Sequence, residues 1–428
     1  MKNILLFGAG KSATCLIEYL IDEIKTQDWQ LTIADNNLAL IQSKTGNAQK
    51  TVAVSINIEN ENDRRLLIKN ADIVISLLPP SLHFLIAKDC IEFKKNLLTA
   101  SYVDENLKKL ETEIKNNHLI FLCEMGLDPG IDHMSVMQMV TKIKDKGGNI
   151  ISFKSHTGGL IAPEYDNNPW HYKISWNPRN IVLSGSSGAV YKEDGEIKNM
   201  DYESLFANCK TVSVPDIGEL AYYPNRNSLN YIDVYALKEA TTFIRTTLRY
   251  PEFCNGWKNI VSAGLTNDKL IINNSGLSFK EWSSPIAPFI SEENKRQFEY
   301  LGFFDDEIVP SSAKTSADIL QYLLETRLVM EAKDKDMIVM LHELEFEEGP
   351  SKHKIESSLI VFGENNIKTA MAKTVGLPLG IAAKFILEGK IKLTGIHIPI
   401  LPEIYEPVLG ELGKHGIIFQ ERSIDINI

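Results

Sequence analysis

Gly8-Ala9-Gly10-Lys11-Ser12-Ala13 is a G-x-G-x-x-A segment between an apolar run and an amphipathic one. In that setting each residue type suits dinucleotide binding. Gly8 permits a tight turn, Gly10 lets the backbone approach a pyrophosphate, and the small Ala13 lets helix and strand pack closely. The helix that follows aims free N–H groups and its positive dipole end at the phosphates. Asp35, 25 positions after Gly10, closes the second apolar run. A carboxylate there accepts hydrogen bonds from ribose hydroxyls and repels a 2′-phosphate. The nearest following base is Lys44, and no arginine replaces the acid. NAD is therefore expected over NADP. The competing reading is a packing turn in another kind of α/β protein, with Asp35 as a helix cap.

Other polar residues concentrate where core packing does not require them. Ser76-Leu77-Leu78-Pro79-Pro80 and Ala100-Ser101-Tyr102 each end a predicted strand, and carboxyl ends of strands line the ligand crevice of an open α/β sheet. Three further segments are Glu124–His133, Ser155–Glu164 with Asn168–Pro178, and Tyr223–Ser228 with Arg245–Tyr250. Arginine forks grip carboxylates through two parallel hydrogen bonds. Arg226 and Arg249 are thus candidates for holding a polycarboxylate, against the commoner fate of an arginine in a surface or structural ion pair, which is the reading preferred for Arg245. Asp128 is a candidate base or amine partner, or a simple Asp-Pro-Gly turn residue. His133 is a candidate acid or base, though one turn into a helix it is more often a structural hydrogen-bond partner. Neither a metal-ligand spacing nor a nucleophilic serine motif is present, so no metal is expected.

Positioning these residues takes two kinds of architecture. The first ~125 residues alternate apolar and amphipathic runs, as βαβ units do. Strands are predicted at Ile4–Phe7, Leu31–Ala34, Ala71–Leu78, Leu97–Ala100 and Leu119–Cys123, with helices at Ser12–Ile24 and Asn106–Asn116. This is an α/β pattern, a Rossmann doubly wound sheet with helices on both faces. Beyond Glu124 a helix is predicted over Asp132–Lys146. Residues 150–250 then mix Gly, Pro, Asn and aromatics with β-type runs at Ile150–Ser155 and Thr241–Leu248. A helical insert follows at about 255–335, and a helix over Thr369–Glu388 is expected to break near Gly376-Leu377-Pro378. The domains expected are 1–127, completed by 370–428, and a mixed α/β substrate and dimerisation domain over 128–369.

Composition narrows the partners. Of 428 residues, 45 are Lys or Arg and 56 Asp or Glu, a net charge of −11, which argues against nucleic acid. Five scattered cysteines without a C-x-x-C pair fit a reducing compartment rather than a disulfide framework. No apolar run is read as approaching the ~18 residues that span a bilayer, and the N-terminal apolar stretch is too short for a signal peptide. The expectation is a cytoplasmic protein acting on a small molecule, without a membrane partner.

Together with Met371–Pro378 and the ending Glu403–Phe419, these segments resemble the glutamate-forming saccharopine dehydrogenases (saccharopine reductases). The chain is similar both to the free-standing fungal enzymes and to the C-terminal half of animal aminoadipic semialdehyde synthase, over essentially its whole length. The resemblance implies oxidation of saccharopine, with NAD or NADP, to glutamate and 2-aminoadipate 6-semialdehyde. It implies substrate contacts at Ser101, Tyr102, Asp128, Arg226, Thr247, Leu248 and Arg249. Cofactor contacts fall on Gly8, Ala9, Gly10, Lys11, Ser12 and Ala13, on Ala100-Ser101, on Leu127-Asp128-Pro129 and on Ser175. Asp128 is the expected acid–base residue, with Tyr102 behind it, and a homodimer through the second domain's sheet is implied. Fungal members tend to use NADP and the animal domain NAD; Asp35 places this chain nearer the latter. The chain departs from the family at His156-Thr157, where members have tyrosine and often cysteine, at Ile161 for proline, at Thr246 for glycine, and at Trp170-His171. The alternatives are a carboxynorspermidine-type imine-forming dehydrogenase and a non-catalytic dinucleotide-binding protein.

Overall fold

A computed structural model describes residues 1–425. The strands run, in chain order, β1 (Lys2–Phe7), β2 (Trp29–Asp35), β3 (Thr51–Ser55), β4 (Ile73–Ser76), β5 (Asn96–Thr99), β6 (Ile120–Leu122), β7 (Asn149–Ile161), β8 (Ala189–Glu193), β9 (Glu196–Met200), β10 (Lys210–Val214), β11 (Gly218–Pro224), β12 (Arg226–Asn227), β13 (Thr242–Arg249), β14 (Asp336–Glu348), β15 (Ser351–Phe362), β16 (Gly395–His397) and β17 (Gln420–Asp425). The chain divides into two compact units, 1–142 with 370–418, and 143–369 with the chain from 419 onward.

The first unit is built on a seven-stranded parallel sheet in the order β16-β6-β5-β4-β1-β2-β3. Its central strands are buried over Ile4–Phe7 and Ile73–Ser76, as in a sheet with helices on both faces. The edge strand β3, which the hydrophobic pattern did not single out, is only partly buried and so carries little apolar signal. The predicted helix over Asn106–Asn116 is two short ones, Glu105–Lys108 and Glu111–Asn116. Helix Thr14–Thr26 buries Leu16, Ile17, Leu20 and Ile24 at helical spacing.

The helix Ala370–Leu387 runs unbroken for 18 residues with Pro378 inside it, which corrects the expected break. Pro378 forgoes one backbone hydrogen bond, but close packing on Thr14–Thr26 holds the helix. A Cβ at Gly376 would lie 2.9 Å from the Leu16 nitrogen, so only glycine admits that approach. By length and composition this helix could cross a membrane, which also corrects the reading of the apolar runs. Its buried positions include Ala372, Leu377, Leu379, Ile381 and Ala383, as in a core helix of this unit.

The second unit holds a ten-stranded mixed sheet whose main path is β10-β11-β13-β7-β14-β15-β17. β7 extends to Ile161, well beyond the predicted Ser155. Gly158-Gly159 therefore lies within a strand. A Cβ at Gly158 would sit 2.7 Å from the Leu248 Cβ on the neighbouring β13, so the glycine permits that close approach. Helices Pro251–Ser262, Lys295–Leu301 and Ser316–Arg327 enclose an aromatic core. Trp170 is fully buried there, its Nε1–H donating to the Gln297 carbonyl at 2.7 Å. The tail departs from expectation: β17 pairs antiparallel with β15, so the chain from 419 belongs to the second unit. Residues 426–428 of that expected segment lie outside the described residues. The first boundary also moves, from 127 to 142, because helix Ile131–Asp145 begins in the first unit.

Candidate active site

In the first unit the fingerprint has the geometry its residue types require. Gly8 has φ +97°, and a Cβ there would lie 2.9 Å from the Leu77 carbonyl oxygen at the end of the neighbouring strand. A Cβ at Gly10 would meet nothing within 4 Å, so the backbone there is open to a ligand. No side chain caps the turn Lys11–Ala13 that begins at Gly10. Ala13 is buried under the helix and Ala9 behind the turn, while Lys11 is exposed. The residues present thus fit a pyrophosphate on the helix N-terminus.

Asp35 closes β2 and braces that turn. Its Oδ2 accepts from the Ala9 N–H at 2.7 Å and its Oδ1 from the Asn37 N–H at 2.9 Å. The helix-cap reading fails in detail, since Asn37 is the residue whose side chain caps Leu38–Thr45. Lys44 donates to the Gly10 carbonyl at 2.5 Å. Burial pulls its ammonium down to about 8, against the pull of nearby Asp35.

Ala100-Ser101-Tyr102, after β5, lies beside the turn Leu127-Asp128-Pro129-Gly130. The Glu124 and Met125 N–H groups donate to the Ser101 and Thr99 carbonyls, each at 3.1 Å. A Cβ at Gly126 would come within 3.1 Å of both the Ala100 Cβ and the Pro129 carbonyl. The Asp128–Pro129 peptide is cis, and Asp128 and Tyr102 are half-buried. Buried acids frame this turn. Glu124 accepts from the Val103 N–H at 3.2 Å and meets His133 Nε2 at 2.8 Å; Asp132 accepts from the Gly130 N–H at 2.6 Å. His133 is buried, with Glu124 as a hydrogen-bond partner. Glu124 was not singled out, and its φ of +57° is not visible in a sequence. His83 was also missed. It sits under Ser101, with Nε2 2.8 Å from Ser101 Oγ. A lone histidine in an apolar helix gives no pattern to read.

In the second unit β13 carries Thr247, Leu248 and Arg249. Arg249 is buried between the rings of Tyr172 and Phe253, each 5.4 Å from its guanidinium carbon. Its Nη1 donates to the Leu248 carbonyl at 2.8 Å, and its buried Nε has no partner. No carboxylate pairs with it among the described residues. A buried cation without a counter-ion is costly, which makes Arg249 a candidate to hold an anion. Leu248 is different: its side chain is buried in the core beside Leu160 and Leu220, so only its backbone is left to meet a ligand. Arg226 is exposed on β12 at φ +52°, Thr247 is half-buried opposite Tyr223, and Ser175 is buried. Arg245 stacks on Tyr231 at 4.5 Å. The predicted residues therefore form two sets, one in each unit.

Two of the departures are one feature. His156 on β7 and Thr246 on β13 are cross-strand partners, and His156 Nδ1 lies 2.7 Å from Thr246 Oγ1. His156 Nε2 meets Glu343 at 3.0 Å, and Lys354 donates to the same carboxylate at 2.6 Å. Burial disfavours the protonated imidazole. The carboxyl of Glu343 is held down to about 2, where bonds from His156 and Lys354 outweigh burial, which acts to raise it. His171 bonds Asp166 at 2.5 Å.

Residues 4–122 match the family model described as the saccharopine dehydrogenase NADP binding domain, and residues 126–417 match the saccharopine dehydrogenase C-terminal domain. The chain belongs to the saccharopine dehydrogenase family. Within that family it is 32% identical to the saccharopine dehydrogenase [NADP(+), L-glutamate-forming] of Saccharomyces cerevisiae, over 99% of both chains. The crystal structure of the apo yeast saccharopine dehydrogenase (L-Glu forming) superposes with a TM-score of 0.90, at 31% identity, over 99% of this chain and 100% of that one. The alpha-aminoadipic semialdehyde synthase of Arabidopsis thaliana is 34% identical over 99% of this chain but 45% of its own length. The chain spans about half the length of the aminoadipic semialdehyde synthases it matches.

Proposed function

We propose that this chain is a glutamate-forming saccharopine dehydrogenase, an oxidoreductase acting on a CH–NH bond of lysine metabolism. The observation that carries the reading is the end-to-end match to the yeast protein of that name. Arg249 supports it chemically, since a buried guanidinium with a free Nε and no carboxylate partner among the described residues suits a substrate with three carboxylates. In the proposed reaction the C–N bond on the lysine side of saccharopine is oxidised, and water hydrolyses the resulting imine to glutamate and 2-aminoadipate 6-semialdehyde. A bound nicotinamide dinucleotide supplies the hydride acceptor. The protein's own part is to hold the phosphates at Gly8–Ala13, grip carboxylates with Arg249 and Arg226, and position the reacting carbon. Asp128 takes the amine proton and then activates water, with Tyr102 as its nearest alternative.

For the dinucleotide we propose NAD. Asp35 sets a carboxylate at the end of β2, where a 2′-phosphate would add negative charge. The fungal relatives are named for NADP(+), and Lys44, at the same turn, is the cation available to a phosphate. A homodimer is part of the proposal; light scattering separates it from the 48.1 kDa monomer. A substrate panel tests the function. Saccharopine is expected to give glutamate in equal amount to reduced dinucleotide, and a secondary amine lacking two carboxylates to give little. Equal turnover of both would contradict the assignment of the arginines.

A further inference from the structure

Beneath Ser101 lies a chain of hydroxyls and one imidazole. Ser76 Oγ is 2.9 Å from His83 Nδ1, and His83 Nε2 is 2.8 Å from Ser101 Oγ and 3.2 Å from Thr99 Oγ1. Thr99 Oγ1 also accepts from the Ser101 N–H at 3.2 Å. Ser76 and Thr99 end the adjacent strands β4 and β5, and His83 lies on helix Pro80–Glu92, so three elements converge on one hydroxyl. Ser76, His83 and Thr99 are buried, whereas Ser101 is half-buried. Burial also keeps the ring neutral, holding its pKa down to about 4.

A neutral imidazole carries one N–H, and the partners say where. Ser76 is fully buried and its hydroxyl has His83 Nδ1 as its hydrogen-bond partner. Its proton is satisfied when it donates to Nδ1, which places the ring proton on Nε2. Nε2–H then donates along the shorter of its two contacts, to Ser101 Oγ. The Ser101 hydroxyl, already accepting on its inner side, turns its own proton outward, and each bond in such a chain polarises the next.

We propose that His83 is a positioning residue which, through Ser101, presents an O–H donor to an anionic oxygen of the bound ligand. Resting on the proposed function, this assigns Ser101 to a carboxylate of saccharopine; a phosphate of the dinucleotide is the other source of the same chemistry. His83 itself touches no ligand and exchanges no proton in the reaction.

A double-mutant cycle reads this directly. Ser101→Ala and His83→Phe are each expected to raise KM for saccharopine about 3- to 10-fold, the weight of one hydrogen bond. The double variant is expected to be no worse than the larger single effect, with KM for the dinucleotide unchanged. His83→Gln, whose amide can replace Nε2–H, is expected to recover most of the loss; His83→Asn, which reaches only Ser76, is not. Effects that multiply in the double variant would make His83 a packing residue and overturn the proposal. So would loss of a limb of the pH profile, which would make it an acid–base group. A raised dinucleotide KM with unchanged saccharopine KM would move Ser101 to the phosphate and overturn the carboxylate assignment. Nitrogen-15 spectra of histidine-labelled wild type, with the His83→Gln protein identifying the signal, give an arm independent of activity. A neutral Nε2–H tautomer at pH 7 is expected, and an Nδ1–H tautomer would overturn the proposal even if saccharopine is not turned over. Absence of wild-type turnover with either dinucleotide would instead count against the function, not against the relay.

Discussion

At the scale of single residues, burial and charge separate function from packing. Arg249 is the sharpest case, because a cation held in an aromatic pocket without a carboxylate destabilises the fold that carries it. Arg249→Met is expected to lower kcat/KM for saccharopine by about 10- to 100-fold, the loss of a charge-assisted bond, while the melting temperature of the apo protein rises rather than falls. Thermal denaturation beside a saturation curve checks both halves. Asp128→Asn is expected to lower kcat far more than it weakens dinucleotide binding; turnover left unchanged would remove Asp128 from the mechanism. His83 gives a pH signature. Its folded pKa of about 4 lies below the ordinary 6.5, so between those values the unfolded chain binds the extra proton and stability falls as pH falls. The shift is worth about 3 kcal/mol at most. Denaturation free energies of wild type and His83→Gln at pH 7 and pH 4.5 are expected to converge as the pH drops. The fingerprint was legible because its chemistry requires particular residue types at particular spacings. His83 and Glu124 were not, because their roles exist only once β4, β5 and the 124–133 segment lie side by side.

At the scale of elements, pairing explains what the chain order hides. His156 and Thr246 are 90 positions apart yet opposite one another on β7 and β13. A tyrosine at 156 would need the space that Thr246 fills, since the two side chains meet across the strand pair. His156→Tyr alone is expected to destabilise by about 1–3 kcal/mol through overpacking, and His156→Tyr with Thr246→Gly to recover most of it. Chemical denaturation of the two singles and the double measures this, and purely additive losses would contradict the pairing. Strands with continuous apolar runs, such as β1 and β4, were readable because both faces are covered. The extension of β7 through Gly158-Gly159 was not, because glycine in a strand is favoured here by the approach of Leu248, a tertiary fact. The unbroken helix through Pro378 and the tail strand β17 escaped for the same reason: local propensity was overridden by packing on Thr14–Thr26 and by pairing with β15.

At the scale of the whole molecule, membership of the saccharopine dehydrogenase family and the seven-stranded parallel sheet agree on dinucleotide chemistry. The proposed substrate and the proposed preference between dinucleotides rest on different residues and can fail separately. The absorbance of reduced nicotinamide, followed after saccharopine is added to the purified protein with NAD and in parallel with NADP, addresses both. A rise with saccharopine, faster with NAD, is the predicted result. A rise only with NADP would keep the reaction and contradict the role given to Asp35. No rise with either, in protein that binds the reduced dinucleotide, would contradict the central claim and point to another amine as substrate.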